Sequence, residues 1–153
     1  MTGPSPDELY TELKPDLAAV AEQLFAISER FIRENGNFLP HGAILTESND
    51  LEFVAAAPET GSDRAVSSEV LPLLHEGLRA QAKEKDAKAV GVAENVTVAL
   101  EGQSQTKAVK VLVEHSRGLV VAFYLPFERK LLKGFVFGST FARLAEPEVK
   151  PWA

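Results

Sequence analysis

Apolar positions recur at intervals of three and four between residues 16 and 35, where Leu17, Val20, Leu24, Ile27 and Phe31 form a stripe. Ala21, Phe25 and Ile32 widen it, and Glu22, Glu29, Arg30, Arg33 and Glu34 fall on the opposite side. This period predicts a long amphipathic helix, closed by Gly36 in a left-handed conformation. Ahead of it, Ser5 suits a helix cap, Pro6 the first helical position, and Glu8 the third residue after the cap. Pro15 is expected to kink or restart the segment. Residues 1–15 are therefore read as an N-terminal arm.

Two short apolar runs follow, at 42–46 and 51–57, separated by Glu47, Ser48, Asn49 and Asp50. They predict a hairpin, because Asn and Asp tolerate turn conformations. Residues 58–61, bounded by Pro58 and Gly61, break the pattern. A second helix with Leu71, Leu74, Leu78 and Ala82 as its buried stripe comes next, capped at Ser67 or Ser68 so that Pro72 lies within or near its first turn. Lys83, Lys85 and Lys88 gather where cations suit the helix dipole.

The last third alternates as strands do. Residues 89–100 place Val90, Val92, Val96, Val98 and Leu100 on one face, with Glu94 interrupting it, which predicts a bulge or bend near Glu94 and Asn95. Residues 107–115 alternate again, Ser116, Arg117 and Gly118 make a tight turn, and 119–125 is apolar at both parities, as in a strand covered on both faces. Residues 126–133 read as a loop, 135–137 as a last strand, and 139–153 as a C-terminal tail. The expected architecture is a single α+β domain over 1–153, element order αββαβββ(β). Its sheet is mostly antiparallel, with five or six strands and two main helices.

Composition narrows the chemistry. The 153 residues contain no cysteine, which removes disulfides, thiolate zinc sites, iron–sulfur clusters and cysteine nucleophiles. Lys and Arg number 16 against 22 Asp and Glu, a net charge of −6 that counts against nucleic acid or an anionic membrane as partner. No apolar run approaches the ~20 residues of a membrane helix. The opening residues have neither a basic region nor an apolar stretch, so no signal peptide is expected and a cytoplasmic location is.

Of the three histidines, His41, His75 and His115, none has a partner at metal-ligand spacing, and no metal or other cofactor is expected. His41 stands out because Pro40 and Gly42 fix the backbone around it. Ser67 or Ser68, His41 and Glu69 could be assembled into a triad, but no Gly-x-Ser-x-Gly elbow accompanies them, and no residue is assigned a catalytic role. Phosphate-binding glycine loops are absent from the sequence. Asn95, Val96 and Thr97 spell a glycosylation sequon that reads as part of a strand. Arg129 and Lys130, with Glu128 and Lys133, form the most basic stretch, flanked by Tyr124, Phe127, Phe135 and Phe137. With an acidic total, that stretch suits an acidic protein partner or a small anion better than RNA. His41, Arg129 and Lys130 are thus the candidate ligand-binding residues.

Phe38, Leu39, Pro40, His41, Gly42, Ala43, Ile44, Leu45 and Thr46 resemble the Phe-Pro-x-Gly-Ala-x-Leu segment that opens the sheet of cytidine deaminases. In that family a helix starting Cys/His-Ala-Glu follows the hairpin. Ser67, Ser68 and Glu69 fall near that place, and residues 89–93 near the next strand. The resemblance covers about residues 16–93 and implies the helix–hairpin–helix–strand order alone, since the zinc-binding cysteines that the deaminase reaction needs have no counterpart. The order continued by an antiparallel meander also resembles roadblock/profilin-like domains, which implies a dimerising or partner-binding module. The stretch from Pro40 to Leu45 is similar to that of small uncharacterised bacterial proteins of like layout.

The leading functional expectation is a non-catalytic interaction module that binds itself as a homodimer or another protein. It rests on the apolar strand 119–125 and on Trp152 near the chain end. Were both helices on one side of the sheet, a second subunit would be the simplest cover for the other. The alternative is a small-ligand-binding or sensing domain with a pocket between sheet and helices near His41. A hydrolase of unrecognised type is third.

Overall fold

The computed structural model describes residues 5–56, 67–99 and 105–152. The first helix, α1, spans Pro6–Asn35 without interruption. Ser5 caps it by accepting the Glu8 N–H, and Gly36, at φ 77°, ends it by donating to the Ile32 carbonyl. The expected kink at Pro15 does not divide it, and the expected arm is helical from Pro6. Leu13 and Leu17, on either side of the proline, are both buried on the sheet. Their burial offsets the ~3 kcal/mol that an interior proline costs.

Strands β1 (His41–Thr46) and β2 (Leu51–Val54) form the predicted hairpin, and α2 (Ser67–Glu84) follows. The expected second strand, 51–57, is shorter than the sequence predicts, for β2 ends at Val54 and Ala55 and Ala56 are not strand. The expected break at 58–61, the end at Leu100 and the cap geometry of α2 lie outside the described residues. The meander comprises β3 (Ala87–Ala99), β4 (Gln105–His115), β5 (Val120–Lys130), β6 (Gly134–Phe137) and β7 (Phe141–Leu144). Among the described residues, seven strands thus make one antiparallel sheet in the order β2-β1-β3-β4-β5-β6, with β7 also paired to β5. The α+β class and the element order are as the sequence predicts.

Three details of the strands differ. No bulge occurs at Glu94 and Asn95, because the β3–β4 register is unbroken from Ala89↔His115 to Ala99↔Gln105. Glu94 faces its cross-strand neighbour Lys110, and burial pushes its carboxyl above the usual range. The irregularity lies instead between Leu45 and Thr46 of β1. It leaves Lys88 without a partner in that register, and the Lys88 ammonium reaches Asp16 at 3.2 Å. The expected loop at 126–133 is mostly strand, for β5 continues to Lys130. Pro126 is tolerated there because its outer side faces the gap between β6 and β7, where its carbonyl accepts the Gly138 N–H.

Parity sorts the core into two halves. Odd positions of the sheet, among them Ala89, Ala93, Val109, Val111, Val113 and Val121, pack under the Leu17, Val20 and Leu24 stripe of α1. Even positions, Ile44, Val90 and Val92, pack under Leu74, Leu78 and Ala82 of α2. The helices therefore lie on opposite faces. Two glycines permit their close approach to the central strand pair. A Cβ on Gly91 would collide with Val20 and Leu24 of α1, and one on Gly42 would meet Leu78 of α2 and the Gly91 carbonyl oxygen.

The C-terminal tail covers part of the α2 side. The buried Glu114 carboxylate accepts the backbone N–H groups of Glu148, Val149 and Lys150 at 3.2, 2.7 and 2.9 Å, and Arg79 donates to the Val149 carbonyl. With the helices on opposite faces, the premise of a wholly open sheet face awaiting a second subunit fails, although Tyr124, Phe141 and Val136 at the β5–β7 end of the α2 face remain part-exposed.

Candidate functional site

The end of α1, the connector 36–40 and the β1–β2 hairpin converge on His41. Gly36 stops the helix, and the Asn37 side-chain oxygen then accepts both the Phe38 N–H at 2.8 Å and the Asn95 amide at 2.6 Å. The connector is thereby fastened to β3. His41 is the first residue of β1, at a parity that turns its ring toward α1, and it is almost fully buried.

Both ring nitrogens are engaged. Nδ1 lies 2.9 Å from the Leu39 carbonyl, which can only accept, so Nδ1 carries the proton. Burial pushes the imidazole below its usual pKa against the pull of the Leu39 and Leu24 carbonyls, so the ring is neutral at pH 7 and Nε2 is an acceptor. The Ser28 hydroxyl of α1, 3.2 Å away, donates to it.

Three phenylalanines surround this ring. Phe31 of α1 and Phe38 meet it edge-on at centroid distances of 5.7 and 5.3 Å, and Phe53 of β2 lies tilted at 5.7 Å. Above them opens a cleft of about 690 Å³. Its walls are mostly apolar, Leu39 and Phe53 at the rim are 44% and 48% exposed, and Asn35 and Asn37 supply polar edges.

A serine hydroxyl on a neutral imidazole whose other nitrogen is held by a carbonyl has the outline of a nucleophilic pair. Ser28 is fully buried and His41 nearly so, and a reacting carbonyl has no route to the hydroxyl. The pair pins α1 to β1 and holds the ring upright among the phenylalanines. The triad assembled from the sequence does not form: α2, which carries Ser68 and Glu69, lies across the sheet from the face toward which His41 points.

Arg129 and Lys130 do not join His41. Through Ala93 and Val111, His41 stands level with Phe123, three strands away, and Arg129 lies six residues farther along β5. The Arg129 guanidinium rests 5.8 Å from the Phe135 ring centroid, and the Lys130 ammonium is 3.4 Å from Glu128. His75 is half-buried on α2, where burial lowers its pKa. His115 bonds Asp16 through Nε2 at 2.9 Å and accepts the Arg117 N–H at Nδ1. Among the described residues no group of three or more His, Asp or Glu could hold a metal ion.

Sequence reasoning placed Phe31 in the core and gave Ser28, Phe38 and Phe53 no role in the site. The proximity of Phe31, Phe38 and His41 around a helix-ending glycine was the available signal. Phe53 had none, because its place follows from the β1–β2 register, in which it pairs with Ala43. Comparison of the chain with family models, curated proteins and solved structures returns no match. The likenesses to deaminases and to roadblock/profilin-like domains therefore stand on their residues and element order alone.

Proposed function

We propose that this chain is a non-catalytic binding domain that takes a small, flat, largely apolar ligand in the His41 cleft. The observation that carries this reading is a neutral ring with both nitrogens satisfied, set among three phenylalanines beneath a half-exposed apolar rim. Such a floor has no spare hydrogen bond and no charge, so it favours a ligand recognised by ring contacts. Asn37 has its oxygen occupied and keeps its amide nitrogen to donate to one acceptor on the ligand's edge.

A screen of small aromatic fragments by ligand-observed NMR tests this. Hits are expected to raise the melting temperature and to be lost in Phe53→Ser, a change at a half-exposed position that leaves the fold intact. Hits that bind the variant equally well, or no hits at all, would overturn the reading.

A second reading, the homodimeric interaction module, draws on the same rim, since Leu39 and Phe53 could be covered by another copy or another protein. Sedimentation equilibrium at micromolar concentration separates the two. A single species at 16.6 kDa supports ligand binding. A dimer that Phe53→Ser disperses supports self-association.

A further inference from the structure

The hairpin joining β5 to β6 ends the paired register at Lys130↔Gly134 and turns on a bond from the Lys133 N–H to the Lys130 carbonyl. At its tip Leu131 and Leu132 are 91% and 99% exposed, far more than any other large apolar residue described. Leu132 is held at φ 71°, a conformation that bulky residues rarely adopt, so the turn retains strain while presenting both side chains to solvent. Arg129, Lys130 and Lys133 flank the pair in sequence; the Arg129 guanidinium lies over the Phe135 ring, and Lys130 pairs with Glu128, the nearest acid in sequence, at 3.4 Å.

We propose that this tip is a docking wedge for an anionic lipid surface, with the two leucines entering the apolar layer and the three cations at the level of the phosphates. Among the described residues no helix is long and apolar enough to cross a membrane, and the attachment is peripheral. The net charge of −6 counts against attraction of the whole molecule to such a surface, so docking is tip-first. A bilayer fits better than a protein groove on two grounds. The tip is convex, and two leucyl side chains cover only a small part of the ~1,000 Å² that a specific protein interface needs. An anionic bilayer supplies an apolar layer beneath a negative one, the order in which the tip presents its leucines and its cationic collar.

Co-sedimentation with phosphatidylglycerol-containing vesicles tests this on the full chain. The protein is expected to bind these vesicles, to bind pure phosphatidylcholine vesicles more weakly, and to be released by added salt. The double change Leu131→Ser with Leu132→Ser should weaken partitioning by more than about tenfold. Lys130→Gln and Lys133→Gln should each weaken it about fivefold. Leu132→Gly relieves the strained turn, so it should raise the melting temperature while weakening vesicle binding, which separates docking from stability. Absence of binding, equal binding to both vesicle types, or binding untouched by the double serine variant would overturn the proposal. So would a self-associated species that the double variant disperses, which would assign the tip to a second copy.

Discussion

Protonating His41 would remove the acceptor that the Ser28 hydroxyl uses and place a cation among three phenylalanines. Burial holds this imidazole below its usual pKa in the folded protein, and the unfolded chain binds the proton more readily. The stabilising contribution is full above about pH 6.5, the unfolded value, and is lost as pH falls toward the lower folded value. His75, also lowered by burial, contributes with the same sign. The urea midpoint of the wild type is expected to fall between about pH 7 and pH 5, and His41→Phe should flatten that decline. An unchanged slope in the variant would show that the ring titrates normally in the fold. Imidazole ¹⁵N shifts report the same tautomer directly, with the proton on Nδ1.

At the level of elements, the packing of α1 on β3 is the most sensitive contact. Leu24 is fully buried there, and Leu24→Ala is expected to destabilise by ~2–5 kcal/mol, read from denaturant unfolding. Gly91→Ala attacks the same contact from the sheet side and is expected to cost ~1–3 kcal/mol by forcing Val20 and Leu24 outward. The helix stripe that makes these predictions possible was legible because amphipathic periodicity is a local signal. The continuity of α1 through Pro15 was not, since it depends on burial of Leu13 and Leu17 against distant strands. The end of β5 was hidden because Pro126 reads as a breaker until the gap beside it is known. Four-residue β7 has no turn or period to announce it. In the site, His41 was marked by its neighbours Pro40 and Gly42. Ser28 and Phe53 reach it only through the crossing of α1 and the β1–β2 register, and neither is written in local pattern.

Over the whole molecule, the two helices lie on opposite faces of the sheet, and Glu114 fastens the tail to the α2 face. Glu114→Ala leaves three backbone donors without their acceptor and is expected to cost about 3 kcal/mol or more. Amide exchange at 148–150 should become fast in the variant while α1 keeps its protection, and retained protection at 148–150 would show that the tail holds by other means. The order of the strands also bears on time. β3, β4 and β5 pair in succession across short connections, whereas β1 reaches β3 only after residues 47–86 have been laid out and α2 has crossed to the far face. Loop closure of the short kind is fast and needs little prior structure. The meander is thus expected to form the folding nucleus, with the β1–β2 hairpin, itself a short closure, docking late on β3 and bringing its His41 and Phe53 to the rest of the site last. In stopped-flow chevrons Val111→Ala should slow refolding, while Ile44→Val should mainly speed unfolding. The cleft would then be the final part of the molecule to acquire its shape and the first to lose it.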